Sequence, residues 1–322
     1  MHDVRLGKTD LQVSEVAFGT WSFGGDWGTV DTAAATATVG RALELGVNFF
    51  DTAQGYGFGL AESVLADALW AHTAREDVVV ATKGGLREDG DRLVRDASAR
   101  WLRLGVEQSL RNLRTDYIDL YQVHWPDPHT SPHETADALG QLVDEGKVRH
   151  VGVSNYDMAQ IDDLNRFTTV ETLQPPYHLF RRDIETTLLP YCERQDIGVL
   201  VYGALAHGLL TGTMTADTTF APDDWRSHSP DFGGETFAAN LAIVGKLRAL
   251  AGARDMSLPQ LAVAWVLANP AVDAAIVGAR HPDHLADTVA AADYKLNDDD
   301  LAEIDAILIG AKPVAGPSPE GM

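Results

Sequence analysis

The 322-residue chain contains a single cysteine, Cys192, and therefore cannot form an intrachain disulfide. This is typical of a protein in a reducing compartment, and we expect no catalytic role for the thiol. No apolar run approaches the roughly 20 residues needed to span a bilayer. Residues 1–5 are mostly polar and lack the apolar stretch of a signal peptide. The sequence thus predicts a cytoplasmic protein without a membrane segment.

Basic residues are also scarce, with 25 Lys and Arg against 47 Asp and Glu and a net charge of −22. A nucleic-acid-binding protein needs a basic surface to displace counterions from phosphates, so the charge argues against nucleic acid as a partner. It also argues against binding to anionic membranes. An acidic protein can still bind an anionic cofactor if a few basic residues gather at one place. The hydrophobic fraction of 45% is that of a globular protein with a substantial core.

A third absence concerns the dinucleotide-binding motif, since no G-x-G-x-x-G follows the first apolar run. A Rossmann dehydrogenase is therefore disfavoured. Eight short apolar runs rich in β-branched or aromatic residues alternate with amphipathic segments instead. Strands covered on both faces lack polar alternation, so each run predicts a buried parallel strand. The runs are residues 16–18, 47–50, 78–81, 118–123, 148–153, 170–173, 198–201 and 274–277.

Helical patterns separate these runs, and the even spacing favours a closed (β/α)8 TIM barrel over an open sheet. We expect one α/β domain over residues 1–310. The helical segments include residues 33–45, 61–71, 97–113, 134–144, 184–194, 237–253 and 258–268. Residues 1–13 predict a short N-terminal hairpin across the bottom of the barrel. Residues 211–235 predict a long loop after strand seven that covers a site, and residues 311–322 a flexible tail.

Polar residues follow several of the apolar runs, where a TIM barrel places its chemistry. Four of them form a coherent set: Asp51, Tyr56, Lys83 and His124. A phenol is a poor acid at neutral pH, but a neighbouring ammonium lowers its pKa, and Asp51 can hold that ammonium in place. His124 can orient the same substrate oxygen or relay a proton. Each residue alone has a common structural explanation, whereas the combination indicates carbonyl reduction.

A metal-dependent barrel hydrolase is the competing chemistry. His124, Asp51 and Asp119 are conceivable ligands, but such enzymes usually carry an H-x-H motif or several histidines at strand ends. Neither feature is present in the sequence. We therefore predict no metal site.

These residues occur in an ordered series of segments that resembles the aldo-keto reductase family over nearly the whole chain. The segments are GTWSFGGDWG at 19–28, VNFFDTAQGYGFGLAES at 47–63, ATKGG at 81–85, IDLYQVHWPD at 118–127, GKVRHVGVSN at 146–155, GALAHGLLTG at 203–212 and IVGAR at 276–280. The resemblance implies a (β/α)8 barrel with catalytic Asp51, Tyr56, Lys83 and His124. It further implies reduction of aldehydes or ketones to alcohols by direct hydride transfer, with Tyr56 as the proton donor.

The resemblance also implies an NADP(H) cofactor, with NAD(H) as the weaker alternative. Ser154, Asn155 and Gln174 would hold the nicotinamide carboxamide, Tyr202 would stack on the ring, and Arg280 would bind the adenosine 2′-phosphate. The full set of implied cofactor-binding residues is Gly19, Thr20, Trp21, Asp51, Ser154, Asn155, Gln174, Tyr202, Gly203, Ala204, Leu205, Gly208, Leu209, Gly278, Ala279, Arg280, His284, Asp287 and Thr288.

The sequence departs from the family pattern on the cofactor side. Gly203 stands where many members have a serine that contacts the cofactor. His284, Asp287 and Thr288 replace the Gln, Glu and Asn common around the adenine. These departures leave the four catalytic residues intact and concern cofactor affinity and the preference for NADPH.

The resemblance implies that the substrate is a small carbonyl compound. An aromatic pocket would favour apolar or aromatic bulk, and its residues would be Trp21, Trp27, Phe58, Trp125 and Trp225. An alternative function is a nicotinamide-sensing regulatory subunit, because the family also resembles the β subunits of certain potassium channels. The oligomeric state is left open.

Overall fold

The computed structural model describes residues 2–25, 29–90, 92–222 and 224–319. Its strands are β1 (Asp3–Arg5), β2 (Gln12–Ser14), β3 (Val16–Gly19), β4 (Phe49–Asp51), β5 (Val79–Gly84), β6 (Leu86–Asp89), β7 (Arg92–Arg95), β8 (Ile118–Val123), β9 (Val148–Ser154), β10 (Thr172–Gln174), β11 (Gly198–Val201) and β12 (Ala274–Gly278). Its helices are α1 (Thr32–Glu44), α2 (Leu60–Leu69), α3 (Ala99–Leu113), α4 (Pro132–Asp144), α5 (Met158–Asn165), α6 (Leu188–Gln195), α7 (Gly234–Gly252), α8 (Leu258–Leu267), α9 (Pro282–Val289) and α10 (Asp298–Ile307).

Eight of the strands close into a parallel barrel in the order β3, β4, β5, β8, β9, β10, β11 and β12, with β12 pairing back to β3. Each of these strands falls on one of the eight apolar runs. The helices between the strands surround the barrel. The predicted (β/α)8 TIM barrel is confirmed.

Helix ends follow the capping signals of the sequence. The Asp31 side chain accepts the N–H of Ala34 at the start of α1, and Asp157 forms a capping box with Gln160 at the start of α5. The helix predicted from residue 184 begins only at Leu188. Residues 184–187 form turns instead, and Arg182 donates to the Glu185 carboxylate at 2.8 Å.

The bottom of the barrel is closed by the N-terminal hairpin, in which β1 and β2 pair antiparallel as predicted. Leu6, Leu11 and Val13 are buried there. They pack against the side chains that fill the barrel interior, which are Ala17, Phe49, Ala81, Leu120, Leu200, Ala274 and Ile276. Because this end is sealed, a ligand can enter only at the carboxyl ends of the strands.

A second hairpin, β6–β7, follows β5 directly and was not predicted. The indole N–H of Trp101 in α3 donates to the carbonyl of Leu86 at 2.9 Å and anchors it. Most of its residues are charged and partly exposed, so it lacks the apolar run that marked the barrel strands.

The described part of the C-terminal tail, residues 311–319, is packed on the barrel, in contrast to the flexible tail expected. The Val314 side chain is fully buried, and its N–H donates to the carbonyl of Phe180 at 3.1 Å. Asn240 of α7 exchanges hydrogen bonds with the backbone of Lys312, and Ala315 donates to Asp231 at 2.7 Å. A few scattered apolar residues and these hydrogen bonds hold the segment, so the sequence shows no hydrophobic periodicity there.

Within the described residues, none of the helices combines the length and apolar character that crossing a membrane requires.

Candidate active site

The four predicted catalytic residues meet at the open end of the barrel. Asp51 ends β4, Lys83 lies in β5, His124 follows β8, and Tyr56 lies in the turn after β4. Lys83 Nζ donates to Asp51 Oδ2 at 2.6 Å and to the carbonyl of Thr52 at 2.9 Å. It also donates to the Tyr56 hydroxyl at 3.5 Å. The ammonium thus bridges the carboxylate and the phenol.

The turn that carries Tyr56 has an unusual backbone. Gly57, Phe58 and Gly59 all adopt positive φ, at 60°, 43° and 102°. A Cβ on Gly57 would lie 2.3 Å from the carbonyl oxygen of Gly24, so only glycine fits there. This tight turn places the phenol beside Lys83 immediately before α2 begins.

Lys83 is fully buried, and its surroundings decide its charge. Burial lowers the pKa of Lys83, while the carboxylates of Asp51 and Glu62 act in the opposite direction. Asp51 is held on its other oxygen by Gln174 Nε2, which donates at 2.9 Å. The ion pair is therefore fixed from β4, β5 and β10 at once.

His124 is buried and neutral. Burial lowers the pKa of His124 well below its usual value, and the charge of Lys83 lowers it further. Its ring stands edge-on to that of Tyr56, with 5.7 Å between centroids. Its Nδ1 has no hydrogen-bond partner among the described residues. A neutral imidazole beside the phenol can hydrogen-bond a substrate oxygen.

Three polar side chains, two at the end of β9 and one after β11, form a connected row. Asn155 Nδ2 donates to Ser154 Oγ at 3.0 Å, and the Tyr202 hydroxyl donates to Asn155 Oδ1 at 2.8 Å. Ser154 Oγ donates in turn to the carbonyl of Gln174 at 2.8 Å. Asn155 also binds the carbonyl of His124 at 3.0 Å. The row is thus hydrogen-bonded to one of the four predicted catalytic residues.

A cavity of about 720 Å³ opens above these groups. Besides Tyr56 and His124, its lining includes five residues of the predicted cofactor set and four of the predicted substrate set, with Trp21 in both. They are Trp21, Ser154, Asn155, Gln174 and Tyr202 from the cofactor set, and Trp21, Phe58, Trp125 and Trp225 from the substrate set. Trp27, which was also predicted, lies outside the described residues.

Several cavity residues were missed by the sequence reasoning. They are Leu86, Glu88, Gly90, Arg92 and Leu93 of the β6–β7 hairpin, together with Gly55, Gly57, His207, His228 and Pro317. The hairpin had one available signal, the Asp89-Gly90 dipeptide between two short runs, which is typical of a tight turn. Pro317 carried no signal, because its place depends on the packing of the tail.

The remaining predicted cofactor residues lie outside the lining of this cavity. Gly203, Ala204, Leu205, Gly208 and Leu209 lie in the turns after β11, Gly19 ends β3, and Thr20 follows it. Gly278, Ala279 and Arg280 lead from β12 into α9, where His284, Asp287 and Thr288 lie. Asp287 accepts the Ser257 hydroxyl at 2.7 Å, and the Thr288 hydroxyl donates to its own helix at 3.0 Å.

The described residues contain no group of three or more His, Cys, Asp or Glu side chains that could hold a metal ion. Instead, a buried ion pair, a phenol and a neutral imidazole surround the floor of the cavity. This fold and this site define a barrel oxidoreductase.

Comparison with known proteins agrees with that class. Residues 15–309 match the sequence model of the Aldo/keto reductase family, and the chain belongs to this family. An aldo-keto reductase of Bacillus subtilis is 40% identical over 310 residues, which cover 96% of this chain and 94% of the relative. An NADH-specific methylglyoxal reductase of Escherichia coli is 34% identical, covering 93% and 96%. The solved structure of a glycerol dehydrogenase from Gluconobacter oxydans superposes with a TM-score of 0.89 at 39% identity, covering 98% of each chain.

The family uses nicotinamide cofactors and acts on small carbonyl compounds. The hydrogen-bonding groups that line the cavity fit such a cofactor. Hydroxyl and amide groups of Ser154, Asn155 and Gln174 converge at one wall, and the aromatic ring of Tyr202 lies beside them. A carboxamide needs donors and acceptors of this kind, and the flat ring needs an aromatic face.

Proposed function

We propose that the protein is an NADP(H)-dependent reductase that converts aldehydes or ketones to alcohols, with Tyr56 as the proton donor. The observation that carries the proposal is the buried Lys83 ammonium, which donates both to Asp51 at 2.6 Å and to the Tyr56 hydroxyl at 3.5 Å. Among the hydrogen bonds that the structure shows for the described residues, no other tyrosine accepts one from a lysine.

The chemistry divides between cofactor and protein. When bound, the reduced nicotinamide supplies a hydride to the carbonyl carbon. Tyr56 gives its proton to the carbonyl oxygen, and the N–H of Lys83 stabilises the negative charge that develops on the phenol oxygen. His124 donates a hydrogen bond that orients the carbonyl. The phenol is then reprotonated from solvent.

Cofactor binding uses the row of polar residues at the barrel mouth. Ser154, Asn155 and Gln174 hold the carboxamide, which fixes the face of the nicotinamide that meets the substrate. Tyr202 stacks on the ring, and the turn from Gly203 to Leu209 lies along the diphosphate. The remaining proposed contacts are Gly19, Thr20, Trp21, Asp51, Gly278, Ala279, Arg280, His284, Asp287 and Thr288.

The preference for NADPH rests on Arg280, which is exposed at the start of α9. Its guanidinium can bind a 2′-phosphate through charge-assisted hydrogen bonds. NADH is the alternative, and the name of the Escherichia coli relative shows that a relative of this chain uses it. A direct comparison of the two cofactors is therefore part of the test.

The pocket above Tyr56 combines aromatic walls with a charged rim. Phe58, Trp125 and Trp225 supply apolar surface, and Glu88 and Arg92 of the β6–β7 hairpin stand at the opening. We expect carbonyl substrates whose reacting end is buried and whose apolar portion contacts the indoles. The names of the relatives add methylglyoxal, and glycerol in the oxidative direction, to the compounds worth testing.

The experiment is a spectrophotometric assay of NADPH and NADH consumption with a carbonyl panel, run beside a fluorescence titration of each cofactor. The proposal expects binding and carbonyl-dependent turnover, with NADPH preferred. Binding without turnover on any carbonyl would favour the alternative of a nicotinamide-sensing regulatory subunit. Failure to bind either cofactor would refute both.

A further inference from the structure

A fully buried carboxylate near the active site has no part in the mechanism above. Glu62 lies in the first turn of α2, and none of its surface reaches solvent. Its Oε1 accepts the Thr82 hydroxyl at 2.7 Å, and its Oε2 accepts the Asn112 amide at 3.0 Å. Burial raises the pKa of Glu62, whereas the hydrogen bonds from neutral donors to both of its oxygens and the charge of Lys83 favour the ionised carboxylate. Burying such a group is costly, so an apolar residue would suit a merely structural position better.

Thr82, the first hydrogen-bond partner of Glu62, connects it to Lys83. Thr82 is the residue before Lys83 in β5, and successive side chains of a strand point to opposite faces. The Thr82 hydroxyl therefore faces the helices while Lys83 faces the barrel mouth. The hydrogen bond to Glu62 therefore holds β5 on its helix-facing side, at the residue next to Lys83.

Asn112, the second hydrogen-bond partner of Glu62, connects it to the turn that carries Tyr56. A Cβ on Gly59, the residue before α2, would lie 2.3 Å from Asn112 Nδ2, so α3 and the end of this turn are in close contact. The N–H of Ala61 donates to the carbonyl of Tyr56 at 3.2 Å. Glu62 and Asn112 thus tie the start of α2, and with it Tyr56, to the strand of Lys83.

Glu62 also contributes charge. The titratable groups around Lys83 are Asp51 from β4, Tyr56 from the following turn, His124 from the end of β8, and Glu62 from α2. Asp51 and Glu62 are the two carboxylates among them, and both favour the charged form of the lysine. Burial lowers the pKa of Lys83, and Glu62 counteracts that effect from the side opposite to the substrate.

We propose that Glu62 is a positioning residue for the reaction: its carboxylate joins the strand of Lys83 to the turn of Tyr56 and adds a second buried negative charge beside the ammonium. The inference rests on the proposed function, because it concerns the same tyrosine and lysine. Glu62 itself touches neither substrate nor cofactor.

The test is the Glu62→Gln variant, which keeps the size of the side chain and removes its charge. We expect kcat to fall between about tenfold and 100-fold, because small displacements of reacting groups have effects of that size. The dissociation constant of NADPH, measured by fluorescence, should stay at the wild-type value. Loss of the carboxylate lowers the pKa of Lys83, so the alkaline limb of the kcat/KM profile should move to lower pH.

Two further variants separate position from charge and from stability. Thr82→Val removes the hydroxyl bonded to Glu62 but keeps the carboxylate, so kcat should fall while the alkaline limb stays in place. Asp119→Asn alters another buried carboxylate, one that binds Arg75 and Arg149 at the opposite end of the barrel. It should lower the melting temperature and leave the pH profile unchanged.

A folded Glu62→Gln protein with the wild-type kcat and pH profile would overturn the proposal. So would a loss of kcat that is equal at all pH values, since a purely structural role predicts that result. If Glu62→Gln does not fold, wild-type kcat in Thr82→Val overturns the positioning role. Full turnover in Tyr56→Phe would instead refute the proposed function itself, while an inactive Tyr56→Phe beside a normal Glu62→Gln refutes only this inference.

Discussion

At the scale of single residues, the charge states in the cavity depend on burial more than on residue type. His124 is held neutral because its ring is buried beside the Lys83 ammonium. Lys83 is stabilised as a cation by buried carboxylates, although burial alone favours its neutral form. Burial therefore keeps His124 neutral, whereas Lys83 stays charged through its buried ion pairs. The two groups can act on one substrate oxygen in different roles.

Arg280 allows a residue-scale prediction about cofactor choice. Replacing Arg280 with Ala should raise the dissociation constant of NADPH by about tenfold to 100-fold, which is the value of a charge-assisted hydrogen bond. NADH has no 2′-phosphate, so its affinity should change little. Fluorescence titration of both cofactors against both proteins measures this, and equal weakening of NADPH and NADH would contradict the assigned role.

The sequence predicted Asp51, Tyr56, Lys83 and His124 because each follows an apolar run, and strand ends meet at one end of a barrel. It did not single out Glu62. A glutamate in the first turn of an amphipathic helix resembles a solvent-exposed residue, and only the packing of α2 against β5 and α3 shows that it is buried.

At the scale of elements, three segments outside the barrel strands complete the cavity. The β6–β7 hairpin, the loop of residues 211–235 and the C-terminal tail each contribute lining residues. Arg226 of the loop donates to the carbonyl of His207 at 3.0 Å, and Ala315 of the tail donates to Asp231 of the loop. The loop and the tail therefore hold each other over the barrel mouth.

Val314 tests whether the tail is held as the structure shows. An aspartate at this fully buried position would be left without a partner, at a cost of several kcal/mol, so we expect Val314→Asp to release the tail. Limited proteolysis should then cut residues near 314 faster, and the substrate KM should rise because Pro317 leaves the cavity wall. Ile309→Asp, at a position 82% exposed, is the matched control. Equal protease resistance of Val314→Asp and wild type would contradict the packed tail.

The barrel strands were predictable because both faces of each are buried, which leaves uninterrupted apolar runs. The β6–β7 hairpin and the tail were not, since charged, partly exposed strands and a tail with few buried side chains produce no periodic pattern. Elements that surround a site are thus less visible in a sequence than the scaffold that supports it.

At the scale of the whole molecule, the two ends of the barrel differ in character. The mouth holds the proposed catalytic groups, whereas ion pairs between distant segments fasten the bottom. His150 of β9 lies 2.7 Å from Asp10 of the N-terminal hairpin and 2.9 Å from Glu171. Burial acts to lower the pKa of His150, but the hydrogen bonds and charges of Glu171 and Asp10 outweigh it, so that pKa is raised.

This arrangement predicts a pH-dependent contribution to stability. A raised folded-state pKa means that His150 stabilises the protein fully below its usual value of 6.5 and loses that contribution as the pH rises through the folded value. In urea unfolding, the difference between wild type and His150→Gln should therefore be larger at pH 6 than at pH 9. His133→Gln, on an exposed histidine of α4, is the control. A difference that is constant over this range would contradict the prediction.

Turnover of the Tyr56→Phe variant tests the central claim most directly. The substitution removes only the hydroxyl that Lys83 contacts, so NADPH should bind to the variant as to the wild type, by fluorescence titration. Carbonyl-dependent oxidation of NADPH should fall by at least about 100-fold, the usual contribution of a general acid. A variant that binds NADPH and keeps wild-type turnover would show that Tyr56 is not the proton donor, and the proposed reaction mechanism would be wrong.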